Sequence, residues 1–251
     1  MSSDTPTTPK SSQLTERLKH PEFAQPDNKN IKLWRYMSLP KLISILTSKS
    51  LSLARIDRMP DRFEGTITKA TLEGIQRYQS MIGQHLSEDA ILTMYRRTRE
   101  TSYISCWHAN EYESEAMWQL YGAKGGVAVQ TSYNKLTQSI ANHGEVYIGL
   151  VKYIDYDNAH LPSANMFSPI MHKRKSFEHE KEVRLVRWVY APPVPDNISM
   201  EWDINIWAEA IFVDPYAPRY YYDSVKAVLD CMAPALSGML KYSAMNIKPI
   251  I

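Results

Sequence analysis

The alternation of apolar and polar positions first becomes regular at Ile31-Lys-Leu-Trp-Arg-Tyr36 and predicts a strand there. Ser38 then reads as the cap of a helix with Pro40 in its first turn, and Leu42, Ile43, Ile45 and Leu46 form its apolar stripe. Leu51–Arg55 returns as a second strand, so strand, helix and strand fill only about 25 residues. Asp57–Gly65, with proline and mixed charge, reads as a loop. Helices follow over Thr66–Met81 and Ser87–Arg99, the second opened by Ser87 with Glu88 and Asp89 behind it. Tyr103–Trp107 is predicted as a strand, and a short helix runs from Ser114 to Gly122. Gly126–Thr131 and Glu145–Tyr153 read as strands, followed by a basic helical stretch to Phe177. Glu182–Tyr190 alternates as a strand. Ile206–Val213 is a strand, Pro218–Met232 a helix and Met245–Ile250 a closing strand.

Residues 1 to 28 are rich in Ser, Thr, Pro, Lys and Asn and are expected to form a disordered arm, apart from a short helix around Leu14–Leu18. Residues 29–251 then form a single domain. Strands and helices mix without a regular βαβ repeat, and neither common glycine-rich phosphate loop is present among the nine glycines. The fold class is therefore α+β, with mixed, largely antiparallel sheets and helices.

Composition changes this picture little. At 251 residues with 44% hydrophobic and 22% charged residues, the chain is of ordinary globular type and needs no metal or disulfide to hold a core. Cys106 and Cys231 are too few for a disulfide framework and share no zinc-ligand spacing. The first residues carry no basic start or apolar run of a secretory signal, and the longest apolar runs, such as Ala208–Val213, are far short of a membrane span. A cytoplasmic protein without a membrane partner is expected. The net charge of +2 gives no strong field for nucleic acid. Two basic clusters, Arg96/Arg97/Arg99 and Lys173/Arg174/Lys175, read first as solvated helix faces and second as nucleic-acid contacts.

Candidate chemistry concentrates in three places. The first is Tyr103–Thr131, where Met117, Trp118 and Tyr121 share a helix face, either as core or as the wall of a ring-sized pocket. Cys106 and His108 fall on the same side of a strand, but nothing beside the thiol lowers its pKa, which favours a structural cysteine over a nucleophile. The second is Glu180-Lys-Glu182-Val-Arg184, where alternation places both glutamates and Arg184 on one side. Arg184 then makes a salt-bridge ladder, or the paired acids serve as general base and cation stabiliser. The third is Arg35, in an otherwise apolar strand. Its planar fork suits phosphate or carboxylate, and the alternative is pairing with Glu64 or Glu182.

These segments, in this order, resemble a widespread prokaryotic family known only as a domain of unknown function. The resemblance rests on Leu33-Trp-Arg-Tyr36, Asp61-Arg-Phe-Glu64, Cys106-Trp107, Met117-Trp118-Gln-Leu-Tyr121, Gly126-Val127 and Glu180-Lys-Glu-Val-Arg184. One turn departs from the family pattern, reading Pro60-Asp61-Arg62 where Asn-Asp-Pro is usual. More distantly, arginine on an early strand, serine on a middle strand and a later E-x-E resemble the R-S-E pattern of ADP-ribosyltransferases. That second resemblance implies a split sheet and NAD as substrate, with no metal required. It implies that Arg35 grips the diphosphate, Ser105 orients the nicotinamide ribose, Glu182 stabilises the oxocarbenium and Glu180 serves the acceptor. Tyr36 and Arg184 join the cofactor site, and Trp118 and Tyr121 stack on rings. The acceptor is a protein or nucleic acid, in a toxin or antiviral effector. A non-catalytic nucleotide- or protein-binding regulatory domain and a nucleic-acid processing protein remain the alternatives.

Overall fold

The computed structural model describes residues 10–122, 125–162, 165–189 and 195–246. A helix, α1 (Lys10–Leu18), precedes β1 (Lys32–Ser38), α2 (Leu39–Ser48) and β2 (Ser50–Arg55). Pro40 lies in the first turn of α2, where its missing N–H costs nothing. Extended Ser38 leads into that helix but makes no side-chain cap bond. Lys49 ends it in a left-handed conformation, φ 47°, which turns the chain directly into β2. Helices α3 (Lys69–Met81) and α4 (Glu88–Thr101) start at Thr68 and Ser87, whose hydroxyls accept the Thr71 and Ala90 amides. Then come β3 (Ser102–Ala109), α5 (Glu115–Tyr121), β4 (Gly126–Ser132), α6 (Tyr133–Ser139), β5 (Val146–Leu150), β6 (Lys152–Ile154), β7 (His172–Arg174) and β8 (Glu182–Trp188). The chain continues through β9 (Asn197–Glu201), α7 (Ile204–Trp207), β10 (Ala210–Val213), α8 (Arg219–Met232), α9 (Pro234–Ser237) and β11 (Leu240–Tyr242).

The fold is α+β. Its large sheet runs β11-β10-β4-β1-β3-β2-β9, with β8 and β5 continuing from the other edge of β3. Every pairing in it is antiparallel except β10 with β11, and β6 and β7 make a separate parallel ribbon. One face carries the main core, including Leu33, Met37, Tyr103, Trp107, Val183 and Leu185 beneath α2 and α8. The other carries two smaller clusters, one around Phe23, Ile104 and Val186 and one around Trp34, Tyr36 and Trp118.

One joint in this sheet is weak. β1 pairs with β4 from Lys32 to Ser38 but with β3 only at Leu33–Ala109 and Trp34–His108. The same edge of β3 takes up β2 further along, at Ala54–Ile104 and Arg55–Tyr103. Ser105, Cys106 and Trp107 therefore pair with β8 on one edge and, among the described pairings, with no strand on the other. A gap opens there between β1 and β2.

Several expectations need correction. The arm expected to be disordered over residues 1–28, apart from a short helix around Leu14–Leu18, is helical over Lys10–Leu18 and packed at Arg17 and Phe23; residues 1–9 lie outside the described residues. The Arg17 guanidinium donates to the carbonyls of Ile140 (3.2 Å), His143 (2.6 Å) and Val146. Phe23 is buried against Tyr147 and Phe167, at centroid distances of 4.9 and 5.1 Å. The basic helix expected up to Phe177 is β7 followed by a 3-10 turn over Lys175–Glu180. Ile206–Val213 divides into the end of α7 and β10. The closing strand expected at Met245–Ile250 begins in a 3-10 turn, and residues 247–251 lie outside the described residues, as does Tyr190. Among the described residues no helix is long and apolar enough to cross a membrane.

Candidate functional site

Strand alternation decides which side chains share a face. Trp34 lies opposite His108 and His108 opposite Glu182, so Tyr36, Cys106, His108, Glu182 and Arg184 hang from one face. Arg35, Ser105 and Trp107 hang from the other. Arg35 and Glu182 thus belong to opposite faces, and an unbroken sheet would keep them apart. The gap removes that wall. A cavity of about 680 Å³ is lined by Arg35, Tyr36, Ser105, Tyr121, Glu180 and Glu182 together. Lys41, Ser44 and Ser48, one stripe of α2, line it within the gap, and Ser50 and Ser52 of β2 border it.

Arg35 crosses the opening. Its Nη1 donates to Ser105 Oγ at 2.7 Å and its Nη2 to the Ser52 carbonyl at 3.2 Å, while its guanidinium lies 5.6 Å from the Trp107 ring. The acids considered as its partners are engaged elsewhere: Glu64 and Glu182 both pair with Lys173 and Arg184. Among the described residues Arg35 has no ion-pair partner. Burial draws its guanidinium below the ordinary arginine value, a penalty that a bound anion offsets.

The acidic end is a buried charge cluster. Lys173 Nζ donates to Glu182 at 2.6 Å and to Glu180, and lies 3.1 Å from Glu64. Arg184 Nη2 donates to Glu182 at 2.8 Å, and its Nη1 lies 3.2 Å from Glu64 and bonds the Ile170 carbonyl. Three carboxylates thus face two cations, leaving one surplus negative charge that the pair resolves by dividing roles. Burial, with the neighbouring Glu182 charge adding, raises Glu180 above the usual carboxylate range. Burial also acts to raise Glu182, but the charges of Arg184 and Lys173 overcome it and hold Glu182 well below that range. A carboxyl whose pKa is raised therefore sits beside one whose pKa is held down, the division that acid–base chemistry uses.

The two glutamates do not lie side by side along one strand, as alternation suggests. Glu180 ends the 3-10 turn, Lys181 follows in a left-handed conformation (φ 41°), and only Glu182 is on β8. Shared contact with Lys173 brings them together. Tyr121, half exposed on the C-terminal end of α5, donates to Glu180 Oε1 at 2.7 Å. Tyr36 accepts the Ser114 amide at 2.9 Å, which ties the start of α5 to β1.

Two expected site residues do not line the cavity. Trp118 is buried edge-on against Tyr36 and donates its indole N–H to Glu113 at 3.0 Å; it is core and does not line the cavity. Arg184 is fully buried behind Glu182 and is the cation of a salt-bridge ladder, out of reach of a cofactor. Cys106 does line the cavity, but burial, with Glu182 adding, pushes its thiol up, away from the thiolate a nucleophile needs. The Lys173–Lys175 cluster is no solvated face. Lys173 is buried among carboxylates, and Arg174 bonds Asp61 at 2.8 Å and lies over the Phe63 ring. That contact also gives the Asp61–Glu64 loop its role: it anchors one wall of the cluster and delivers Glu64.

Sequence reasoning did not assign Lys173 or Glu64 to the site; their signals there were the basic cluster at Lys173–Lys175 and the Asp61–Glu64 motif. Comparison of the chain with protein-family models, with curated proteins and with solved structures found no match in any of the three.

Proposed function

We propose that the cavity binds NAD and that the chain cleaves the bond between nicotinamide and ribose, as an ADP-ribosyltransferase or an NAD glycohydrolase of toxin or antiviral type. The observation that carries this reading is the two-ended cavity. Arg35, a cation without an ion-pair partner among the described residues, stands at one end, and a carboxyl pair whose pKa values are pushed apart stands at the other. A dinucleotide matches both, with its diphosphate on the guanidinium and its ribose at the acids. Because Arg35 enters from the opposite face, the ligand must dip into the gap between β1 and β2.

The chemistry follows from charge. The C1′–N bond breaks, its electron pair leaves with neutral nicotinamide, and positive charge develops on the ribose beside ionised Glu182. Water or an acceptor hydroxyl adds to C1′ and gives its proton to Glu180 in its ionised form; the raised pKa of Glu180 moves that exchange toward neutral pH. Tyr121, on the rim and bonded to Glu180, faces the acceptor, a protein or nucleic acid.

A second reading has its own support. Both oxygens of Glu182 are already bonded to Lys173 and Arg184, which suits a non-catalytic nucleotide-binding domain whose acids only hold the wall. Purified protein incubated with NAD, alone and with cell extract, separates the two. Nicotinamide release supports catalysis, NAD binding without release in either condition assigns a binding domain, and absence of binding ends both.

A further inference from the structure

His108 stands on β3 opposite Glu182 and lines the cavity. It is 97% buried, since its relative exposure is 3%. Its Nδ1 lies 2.7 Å from the Glu180 carbonyl, and a carbonyl only accepts, so Nδ1 carries the proton. In a neutral ring the other nitrogen, Nε2, is then a bare acceptor. Nε2 is buried and has no partner among the described residues. Burial, the largest influence on the ring, keeps it neutral by lowering its pKa. An acceptor lone pair left unmatched in this way is costly unless something supplies a donor.

The surroundings limit what that donor is. Nearby acceptors are already engaged: Glu182 by Lys173 and Arg184, and Glu180 by Lys173 and Tyr121. A ligand group that reaches Nε2 must bring an N–H. A neutral carboxamide meets that condition. A carboxylate of the same shape does not, having no proton to donate.

We propose that His108 is the residue that reads the base end of the ligand, accepting a carboxamide N–H at Nε2 and rejecting the corresponding carboxylate. This inference rests on the dinucleotide reading above and adds a specificity residue to it. His108 also holds Glu180 through Nδ1, so its removal outright would disturb the acids. The side-chain amide of asparagine reaches as far as Nδ1 and not as far as Nε2. His108→Asn therefore keeps the donor to the Glu180 carbonyl and deletes the acceptor.

The experiment is calorimetric titration of the full chain and of His108→Asn with NAD and with its nicotinic acid analogue, followed by the same titrations with ADP-ribose. Wild type is expected to prefer NAD by about tenfold or more, as a site built to hydrogen-bond a donor rejects an analogue without it. His108→Asn is expected to lose that preference while binding ADP-ribose, which has no base, as wild type does. Equal wild-type affinity for the two dinucleotides, or a preference that survives in His108→Asn, overturns the assignment of His108 and leaves the dinucleotide site standing. A change in ADP-ribose affinity matching the loss for NAD reduces His108 to a support for Glu180. Binding of none of the three compounds overturns the nucleotide reading itself, and this proposal with it.

Discussion

Arg35 of β1 donates a 2.7 Å hydrogen bond to the Ser105 hydroxyl of β3 across the opening where those two strands have ceased to pair. The bond sits where backbone bonds would close an ordinary sheet, and it leaves the rest of the guanidinium fork to the cavity. Arg35→Lys keeps the charge but loses the planar fork that suits a diphosphate. NAD affinity is expected to fall by about 1.5–3 kcal/mol, the range for hydrogen bonds to a charged group. Calorimetric titration checks this, and unchanged affinity would remove Arg35 from the ligand site. Ser105→Ala is expected to cost about 1 kcal/mol of stability in urea unfolding, because Arg35 retains the Ser52 carbonyl.

The two glutamates should differ in stability as well as in chemistry. Glu182→Gln leaves Lys173 and Arg184 short of a buried counter-charge, and breaking such a pair costs about 3–5 kcal/mol. Glu180→Gln removes a carboxyl whose charge burial disfavours, and a smaller loss is expected. In activity, Glu182→Gln should abolish both NAD hydrolysis and transfer, whereas Glu180→Gln should impair transfer more than hydrolysis. Denaturant unfolding, nicotinamide release and acceptor labelling, each run on both variants, read these outcomes. Wild-type release by a folded Glu182→Gln protein would confine the pair to structure.

The same division predicts opposite pH dependences. Glu182 has a folded value below the ordinary 4.5, so its contribution is present above 4.5 and is lost as pH falls through the folded value. Glu180 has a folded value above 4.5, so its contribution is present below 4.5 and is lost as pH rises through the folded value. Stability measured against pH should therefore decline above 4.5 more in wild type than in Glu180→Gln. An identical decline in both proteins would show that Glu180 is not raised.

The N-terminal arm offers a test away from the cavity. A Cβ on Gly149 would lie 2.7 Å from the Phe23 Cα, a contact with backbone that has no flexible end to yield. Gly149→Ala is expected to displace the arm. Hydrogen exchange should show the Leu150 amide, which donates to the Ala24 carbonyl at 2.7 Å in wild type, losing protection while β3 keeps its own. Phe23→Ala should cost about 3–5 kcal/mol, as for other buried phenylalanines. Rapid exchange at Leu150 in wild type would return the arm to the disordered state its composition suggests.

Local elements that have a period or a cap are legible in the sequence: the β1–α2–β2 opening, α4 behind Ser87, α5 between Ser114 and Gly122, and β8 from Glu182. These depend on side-chain alternation and on backbone groups a few residues apart, which sequence spacing encodes. The sequence also marked Arg35 in its apolar strand and Glu180 and Glu182 as paired acids, and Ser105 through the resemblance alone. It did not determine their faces, since that depends on which strands pair and where pairing stops. The two-residue joint between β1 and β3 is invisible in either strand alone. Nor did it determine which charges pair. Glu64, Lys173 and Arg184 come from a loop, a short ribbon and a central strand, and tertiary packing alone brings Glu64 to 3.1 Å from Lys173 and 3.2 Å from Arg184. The arm was misjudged for the same reason. Its composition is polar, but Arg17 and Phe23 find carbonyls and aromatic rings more than a hundred residues away, and long-range contacts of that kind leave no local pattern.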